Sequence, residues 1–277
     1  MRDLRGMVVV ITGASAGIGA ALARSLHRCD AKLVLAARRK ERLDSLNAEL
    51  GNEHHVVQAD VAREQDCRNI IDETIARFGR IDTLVANAGY GIYETVDQTS
   101  PAQFRDIFAA NVFGTTDLIH AAIPEMLKQH AEDGYRGQVM IVSSVAARRG
   151  VPYLGAYSAT KAAQLSIAEA MRVELADNKI AVTSVHPIMT KTEFGTTAES
   201  RGRIVLPRSD RDLMTQSVEH VARRMVEGIA RPRAEVWPSA VSRILVGLGT
   251  LIPMTVDRMM AGYYQRVVDS NRASKDG

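Results

Sequence analysis

The sequence predicts an α/β fold: a three-layer, doubly wound parallel sheet with helices on both faces. Short runs of Val, Ile, Leu and Ala alternate with amphipathic stretches from the amino end to beyond residue 180. Those runs are apolar at successive positions rather than at every second one, which marks strands buried on both faces. A glycine-rich turn follows the first run and opens the first amphipathic stretch, as expected where a parallel strand feeds a helix.

In chain order, strands are expected at 8–11, 33–36, 55–58, 83–86, 139–142 and 181–185. Helices are expected between them at 18–28, 40–50, 64–78, 102–128 and 156–177. Pro124, inside the fourth helical pattern, should kink it or mark a boundary, because its ring removes a backbone donor. No internal repeat, low-complexity tract or linker is evident, so residues 1–238 read as one domain. Residues 239–277 read as a helical extension packed on it. There Ile244, Leu245, Leu248, Leu251 and Ile252 recur at near-helical spacing, followed by Met259, Met260, Tyr263 and Tyr264.

A chain of 277 residues, 46% hydrophobic and 24% charged, has the composition of a soluble globular protein with a sizeable core. A net charge of +3, without basic patches interleaved with aromatics, argues against nucleic acid as a partner. Cys29 and Cys67 have no paired spacing and the histidines no ligand spacing, so a cytoplasmic protein with reduced thiols and no metal is expected. The longest apolar tract, 244–256, carries two glycines and Pro253 and is shorter than the about 20 residues a transmembrane helix needs.

The first glycine turn reads T-G-A-S-A-G-I-G over residues 12–19. Gly13, Gly17 and Gly19 would let backbone approach a pyrophosphate, and the helix opening at Ile18 would offer it free N–H groups; an ordinary turn is the alternative. At the end of the second strand an acid suits ribose hydroxyls, whereas arginine suits a 2′-phosphate. Here that place falls on Ala37, followed by Arg38, Arg39 and Lys40. The reading favours NADP(H) over NAD(H), with Arg38 on the phosphate and Ser15 and Arg39 assisting; a solvated basic helix start is the alternative. Asp60 and Val61 end the third strand, where the aspartate would accept from an adenine amino group, cap the next helix, or do both. Asn87, Ala88 and Gly89 end the fourth, small enough for a cofactor to lie close. Asn111 sits mid-helix, where asparagine is mildly unfavourable and is usually a surface residue.

Ser144 follows the fifth strand, and Tyr157 and Lys161 lie four apart in a helical segment, hence on one face. A free phenol titrates near ~10, and a nearby cation favours its ionised form. A hydroxyl leaving a strand and a phenol entering a helix can converge on one carbonyl oxygen, which outlines a proton-transfer site.

With these motifs in this order, residues 7–237 resemble the short-chain dehydrogenase/reductase family in its short single-domain form. The resemblance implies a Rossmann-fold oxidoreductase that interconverts a ketone or aldehyde and an alcohol. It implies Tyr157 as general acid/base and Ser144 as the hydrogen-bond partner of the reacting oxygen. Lys161 would bind the nicotinamide ribose and lower the Tyr157 pKa, and Asn111 would hold a water that relays protons to Lys161. Pro187, Thr190 and Thr192 are expected near the nicotinamide, although Ile188 stands where the family usually has glycine. His186 is expected to be structural. Segment 188–216 would close over the substrate, with Tyr93, Tyr153 and Ile188 lining it and Phe194, Ile204, Val205, Leu206 and Met214 as further apolar contacts. A fairly apolar carbonyl or alcohol is therefore expected. Tyr90 is a further lining candidate, and Arg148 and Arg149 read as solvated loop arginines or as attractors of an acidic substrate.

For the extension, three readings stand: packing on the domain or a second subunit of a homo-dimer or homo-tetramer, a substrate lid, or membrane-surface contact aided by Arg243, Arg258 and Arg266. The rivals to an NADP(H) enzyme are an NAD-linked alcohol or hydroxysteroid dehydrogenase and a cofactor-binding protein without turnover. The complete Asn111, Ser144, Tyr157 and Lys161 set argues against the second.

Overall fold

Each apolar run becomes a strand of one parallel sheet, in the order β3-β2-β1-β4-β5-β6-β7. The strands are β1 Val8–Thr12, β2 Lys32–Ala37, β3 His55–Gln58, β4 Thr83–Ala86, β5 Gly137–Val142, β6 Ile180–Val185 and β7 Glu235–Val236. The computed structural model describes residues 1–190, 192–204 and 215–273, so Val205, Leu206 and Met214 lie outside the described residues. Helices α1 Gly17–His27, α2 Lys40–Glu49, α3 Glu64–Phe78, α4 Pro101–Phe108, α5 Gly114–Lys128 and α6 Gly155–Glu174 connect the first six strands. Sequence order reverses between β1 and β4, and such a switch point opens a crevice at the carboxyl ends of the strands.

Alternate strand residues feed two cores. Val9, Ile11, Leu33 and Leu35 face one side with Leu22 and Leu26 of α1, whereas Val10, Val34, Leu84 and Ile141 face the other with Ile70, Ile71 and Leu118. Each such side chain contributes roughly 1.5–3 kcal/mol by leaving water. The first core also takes Val221, Met225 and Ile229 from α8 Val218–Ala230. That helix and the two-residue β7 are additions to the elements expected from sequence.

The expected helix over 102–128 is divided, but not at Pro124. The proline lies inside α5, which continues to Lys128. The break is a wider π-type turn, Ala109–Phe113, centred on Asn111. Proline costs α5 one backbone bond, and the buried Leu118, Ala122 and Met126 face carries the helix through it. At Gly114, where α5 starts, a Cβ would stand 2.3 Å from the Val61 carbonyl oxygen, so only glycine allows this approach of α5 to the β3–α3 loop.

Beyond β7, α9 Ala240–Leu251 and α10 Pro253–Ala273 follow a short α7, Phe194–Arg201, and α8 in the sequence. Among the described residues no single helix is long and apolar enough to cross a membrane; α9 and α10 pass that test only as a pair bent by 114°. Ser242 of α9 is buried, while Val241, Ile244, Leu245, Leu248, Leu251 and Ile252 are exposed. At 100° per residue these six fall on one stripe, so α9 turns its small polar side inward and its apolar side outward. α10 is tied down by Val267, which is fully buried, and by a Tyr153–Tyr264 stack with centroids 5.1 Å apart.

Candidate active site

The crevice brings the glycine turn and the helical tyrosine to the same end of the sheet. Thr12, last in β1, organises the turn: its Oγ1 accepts from the Asn87 and Ala88 N–H groups, at 3.1 and 3.2 Å. Asn87 Nδ2 donates back to the Thr12 carbonyl at 2.8 Å, which fastens the β4 end to the β1 turn. A Cβ on Gly13 would lie 2.9 Å from Ala88 Cα, and one on Gly19 only 2.4 Å from the Gly13 carbonyl oxygen. Gly17 adopts φ +56°, and its missing Cβ faces the Thr192 methyl at 3.2 Å. Side chains are excluded from three faces of this turn, so its floor is backbone. No side chain caps α1 at Ala16, and Ile18 is half-buried at its first turn.

Arg38 is exposed at the end of β2, where its carbonyl accepts from Gln58. Arg39 donates to Ser15 Oγ at 3.2 Å and to Glu193 at 3.0 Å, and Arg42 holds the same carboxylate at 2.7 Å. Sequence reading missed Arg42 and Glu193. Asp60 Oδ1 accepts from the Ala62 N–H at 3.1 Å, a local turn ahead of α3, and Val61 is half-buried beside it. Gly89 packs under Asn111, whose Oδ1 would be 3.0 Å from a Cβ there.

Ser144 leaves β5, with its Oγ accepting from the Ala146 N–H at 3.1 Å. Tyr157 and Lys161 enter from α6, and the Lys161 Nζ lies 5.6 Å from the Tyr157 ring centroid. Burial pushes the Tyr157 phenol up to about 12, while hydrogen bonding with Ser144 pulls the other way. Burial is the largest of these causes, and Lys161 is not among them. Lys161 is buried too, which pulls its own pKa down to about 7, and its Nζ is spent on the Val142 carbonyl and Gln164 Oε1, each at 2.8 Å.

Asn111 is fully buried rather than a surface residue. Its amide bonds both the N–H and the carbonyl of Tyr90 and reaches Thr160 Oγ1 at 3.0 Å. Its own carbonyl accepts directly from Gln164 Nε2 at 2.6 Å. Gln164 was not singled out in the sequence. Its signal was position: 157, 161 and 164 share one helical face, and glutamine is an unusual choice for a buried stripe.

The ring of Phe194 meets Tyr157 edge-on at 5.0 Å and presses on Gly91, where a Cβ would stand 2.5 Å away. Tyr93 is half-buried against α7, donating its N–H to the Ala198 carbonyl, and its proximity also raises the Tyr157 pKa. Tyr90 faces the Arg201 guanidinium at 3.9 Å. Tyr153, expected to line the pocket, has φ +66° and its ring lies against Tyr264 instead. Pro187 is buried with its carbonyl bound by the Val145 N–H, Ile188 is half-buried, and Thr190 pairs with Gln216. Thr192 Oγ1 accepts from the Phe194 N–H at 3.1 Å. His186 is fully buried, stacked on Trp237 and bonded to Ser184, and burial holds it well below its usual range. Neither arginine beyond Ser144 is free in solvent as expected: Arg148 pairs with Glu169 and Glu235, and Arg149 with Asp257 of α10.

The short chain dehydrogenase family model matches residues 7–202. The chain is 34% identical over 248 residues to an 11-beta-hydroxysteroid dehydrogenase 1A of Arabidopsis thaliana, covering 84% of this chain and 68% of that protein. Among solved structures it resembles a 3-ketoacyl-(acyl-carrier-protein) reductase from Brucella melitensis complexed with NADH, with TM-score 0.74 and 27% identity, covering 84% of this chain and 97% of that one. It also resembles an alcohol dehydrogenase from the archaeon Thermococcus sibiricus complexed with 5-hydroxy-NADP, with TM-score 0.73 and 26% identity, covering 83% of this chain and 95% of that one. The fold, the glycine turn and the match over most of its length agree: the chain belongs to the short-chain dehydrogenase family.

Proposed function

We propose that this chain is an NADP(H)-dependent oxidoreductase that interconverts a ketone or aldehyde and an alcohol, with Tyr157 as general acid/base. The observation that carries the reading is the convergence of Ser144 and Lys161 on Tyr157, with the Gly13–Gly19 turn at the same end of the sheet. The turn suits a dinucleotide because its backbone lies bare on the sides where a Cβ would collide. Gly13, Gly17, Ile18 and Gly19 would hold the pyrophosphate, and Asn87, Ala88, Gly89 and Thr192 would border the rest of the groove.

A bound nicotinamide would supply or accept hydride, which no side chain does. The chain's own residues handle the proton. The Tyr157 phenol is protonated at neutral pH in the protein by itself, so its O–H is ready to pass a proton to a carbonyl oxygen. Ser144 would hydrogen-bond the same oxygen and stabilise charge developing on it. Lys161 lies beside the tyrosine, and in its charged form it would favour the phenolate left after proton transfer. Tyr90, Tyr93 and Phe194 around Tyr157 favour an apolar carbonyl compound, in keeping with relatives named for hydroxysteroids.

The related structures carry both NADH and an NADP derivative, so the cofactor preference rests on Arg38 and Arg39 beside Ser15, with no acid at Ala37. Thermal stability followed while NADPH and NADH are titrated in parallel tests it. NADPH should raise Tm at the lower concentration, and tighter NADH binding would remove the case for Arg38. A carbonyl panel assayed by NADPH absorbance tests turnover. Tight NADPH binding with no consumption on any carbonyl would leave a binding protein.

A further inference from the structure

Gln164 has no role in the mechanism above, yet it is fully buried and every polar atom of its amide is engaged. Its Oε1 accepts from Lys161 Nζ at 2.8 Å, and its Nε2 donates to the Asn111 carbonyl at 2.6 Å and to Thr115 Oγ1 at 2.8 Å. Thr115 Oγ1 in turn donates to the Asn111 carbonyl at 2.8 Å. The amide is thus oriented by two groups of the π-type turn and the start of α5. That orientation leaves its oxygen, not its NH2, toward the lysine. We propose that Gln164 is a positioning residue for Lys161: its amide, wired into the Asn111 turn, fixes where the ammonium points and favours its charged form.

The physical argument is local. Burial disfavours a charged amine, and it is the one cause acting on Lys161, with no charged partner among the described residues offsetting it. β5 faces Nζ with the Val142 carbonyl and the loop after β4 with Gly89, while the π-type turn reaches it through Gln164, which bonds the neutral Asn111 carbonyl. Tyr157, on the same helix, is the titratable group set beside it. Among the described residues, two neutral oxygens hold the ammonium, and Gln164 supplies the one from a side chain. The direct bonds from Gln164 to Lys161 and to Asn111 also place an amide along the line of the expected water relay. An amide fixed by its partners orients a charge well and passes protons poorly.

The inference rests on the catalytic reading of Lys161, but its test needs neither substrate nor cofactor. The Lys161 Nζ is titrated by 15N-lysine NMR, its signal assigned by loss in Lys161→Arg. Gln164→Leu removes the acceptor and should lower the Lys161 pKa by about one unit or more, since hydrogen bonds to charged groups are the stronger kind. Gln164→Glu places a carboxylate there and should raise it by a similar amount. If Gln164→Leu does not fold, Gln164→Glu decides alone. An unchanged Lys161 titration in a folded variant overturns the proposal, because a purely structural glutamine would alter stability and leave this titration in place. Where the carbonyl panel yields a substrate, the alkaline limb of kcat/KM should move down in Gln164→Leu and up in Gln164→Glu.

Discussion

The carboxyl end of the sheet and the outer face of α9 are built on opposite rules. Around Tyr157, polar side chains are buried and satisfied: Asn111, Lys161, Gln164, Thr160 and Ser143 each bond across element boundaries. On α9 the apolar side chains are outside, with Leu248 54% and Leu251 77% exposed, and the buried residue is Ser242. A buried polar group that loses its partner costs the full desolvation of what remains, whereas an exposed leucine has already forgone its transfer energy. The site is therefore intolerant of change in ways the α9 face is not.

Three substitutions probe that contrast, from the largest effect down. Tyr157→Phe keeps the ring and removes the proton, so turnover should fall by about 10²–10⁴-fold while NADPH affinity stays within a few-fold. Rates and cofactor titrations on the same preparation check it, and retained turnover would break the assignment of Tyr157.

His186 joins the site to the segment after β7, stacked on Trp237 and touching the Ser144 carbonyl. Burial depresses its pKa, so the unfolded chain takes up a proton that the native chain resists. Its contribution to stability is therefore whole above its ordinary pKa of about 6.5 and is lost progressively as pH falls below that. Tm should drop through that interval, and His186→Gln should flatten the drop while lowering stability at neutral pH. An unaltered acid slope in the variant would assign the drop to other groups.

Leu248→Ser, by contrast, should change the unfolding free energy of dilute protein by no more than about 0.5 kcal/mol. Chemical denaturation checks this. A larger loss, or one that grows with protein concentration, would mean that the α9 face is covered in solution.

Much of the fold was legible because its code is local and repetitive. Strands at Val8, Leu33, Thr83 and Val139 needed only apolar runs, and Gly13–Gly19 needed only its spacing. The π-type turn was not legible. It arises from long-range demands, Gly114 against the Val61 carbonyl and Asn111 against Tyr90 and Thr160, while Pro124 gave a louder local signal in the wrong place. α8 was legible and overlooked: Ser217 caps it, and Val218, Val221, Ala222, Met225 and Ile229 recur at helical spacing. At the site, the tyrosine, lysine and serine could be read from spacing. The Arg42 partner of Glu193 and the Asn111 partner of Gln164 could not be assigned, because those contacts span 151 and 53 positions, whereas Lys161 lies only three positions from Gln164. Burial of the Tyr157 phenol, which raises its pKa, was not legible in the spacing of Tyr157 and Lys161.

Thr192, Glu193 and Phe194 are consecutive, yet they touch three separate parts of the groove. The threonine methyl lies over Gly17, the glutamate sits on Arg39 and Arg42, and the phenylalanine rests on Tyr157. An arginine fork engaged by one anion is not open to a second without an exchange. Under the NADP(H) reading, a phosphate reaching Arg39 would compete with Glu193, and the neighbouring ring on Tyr157 shares the same backbone. A clasp three residues long thus spans the groove from the glycine turn to Tyr157.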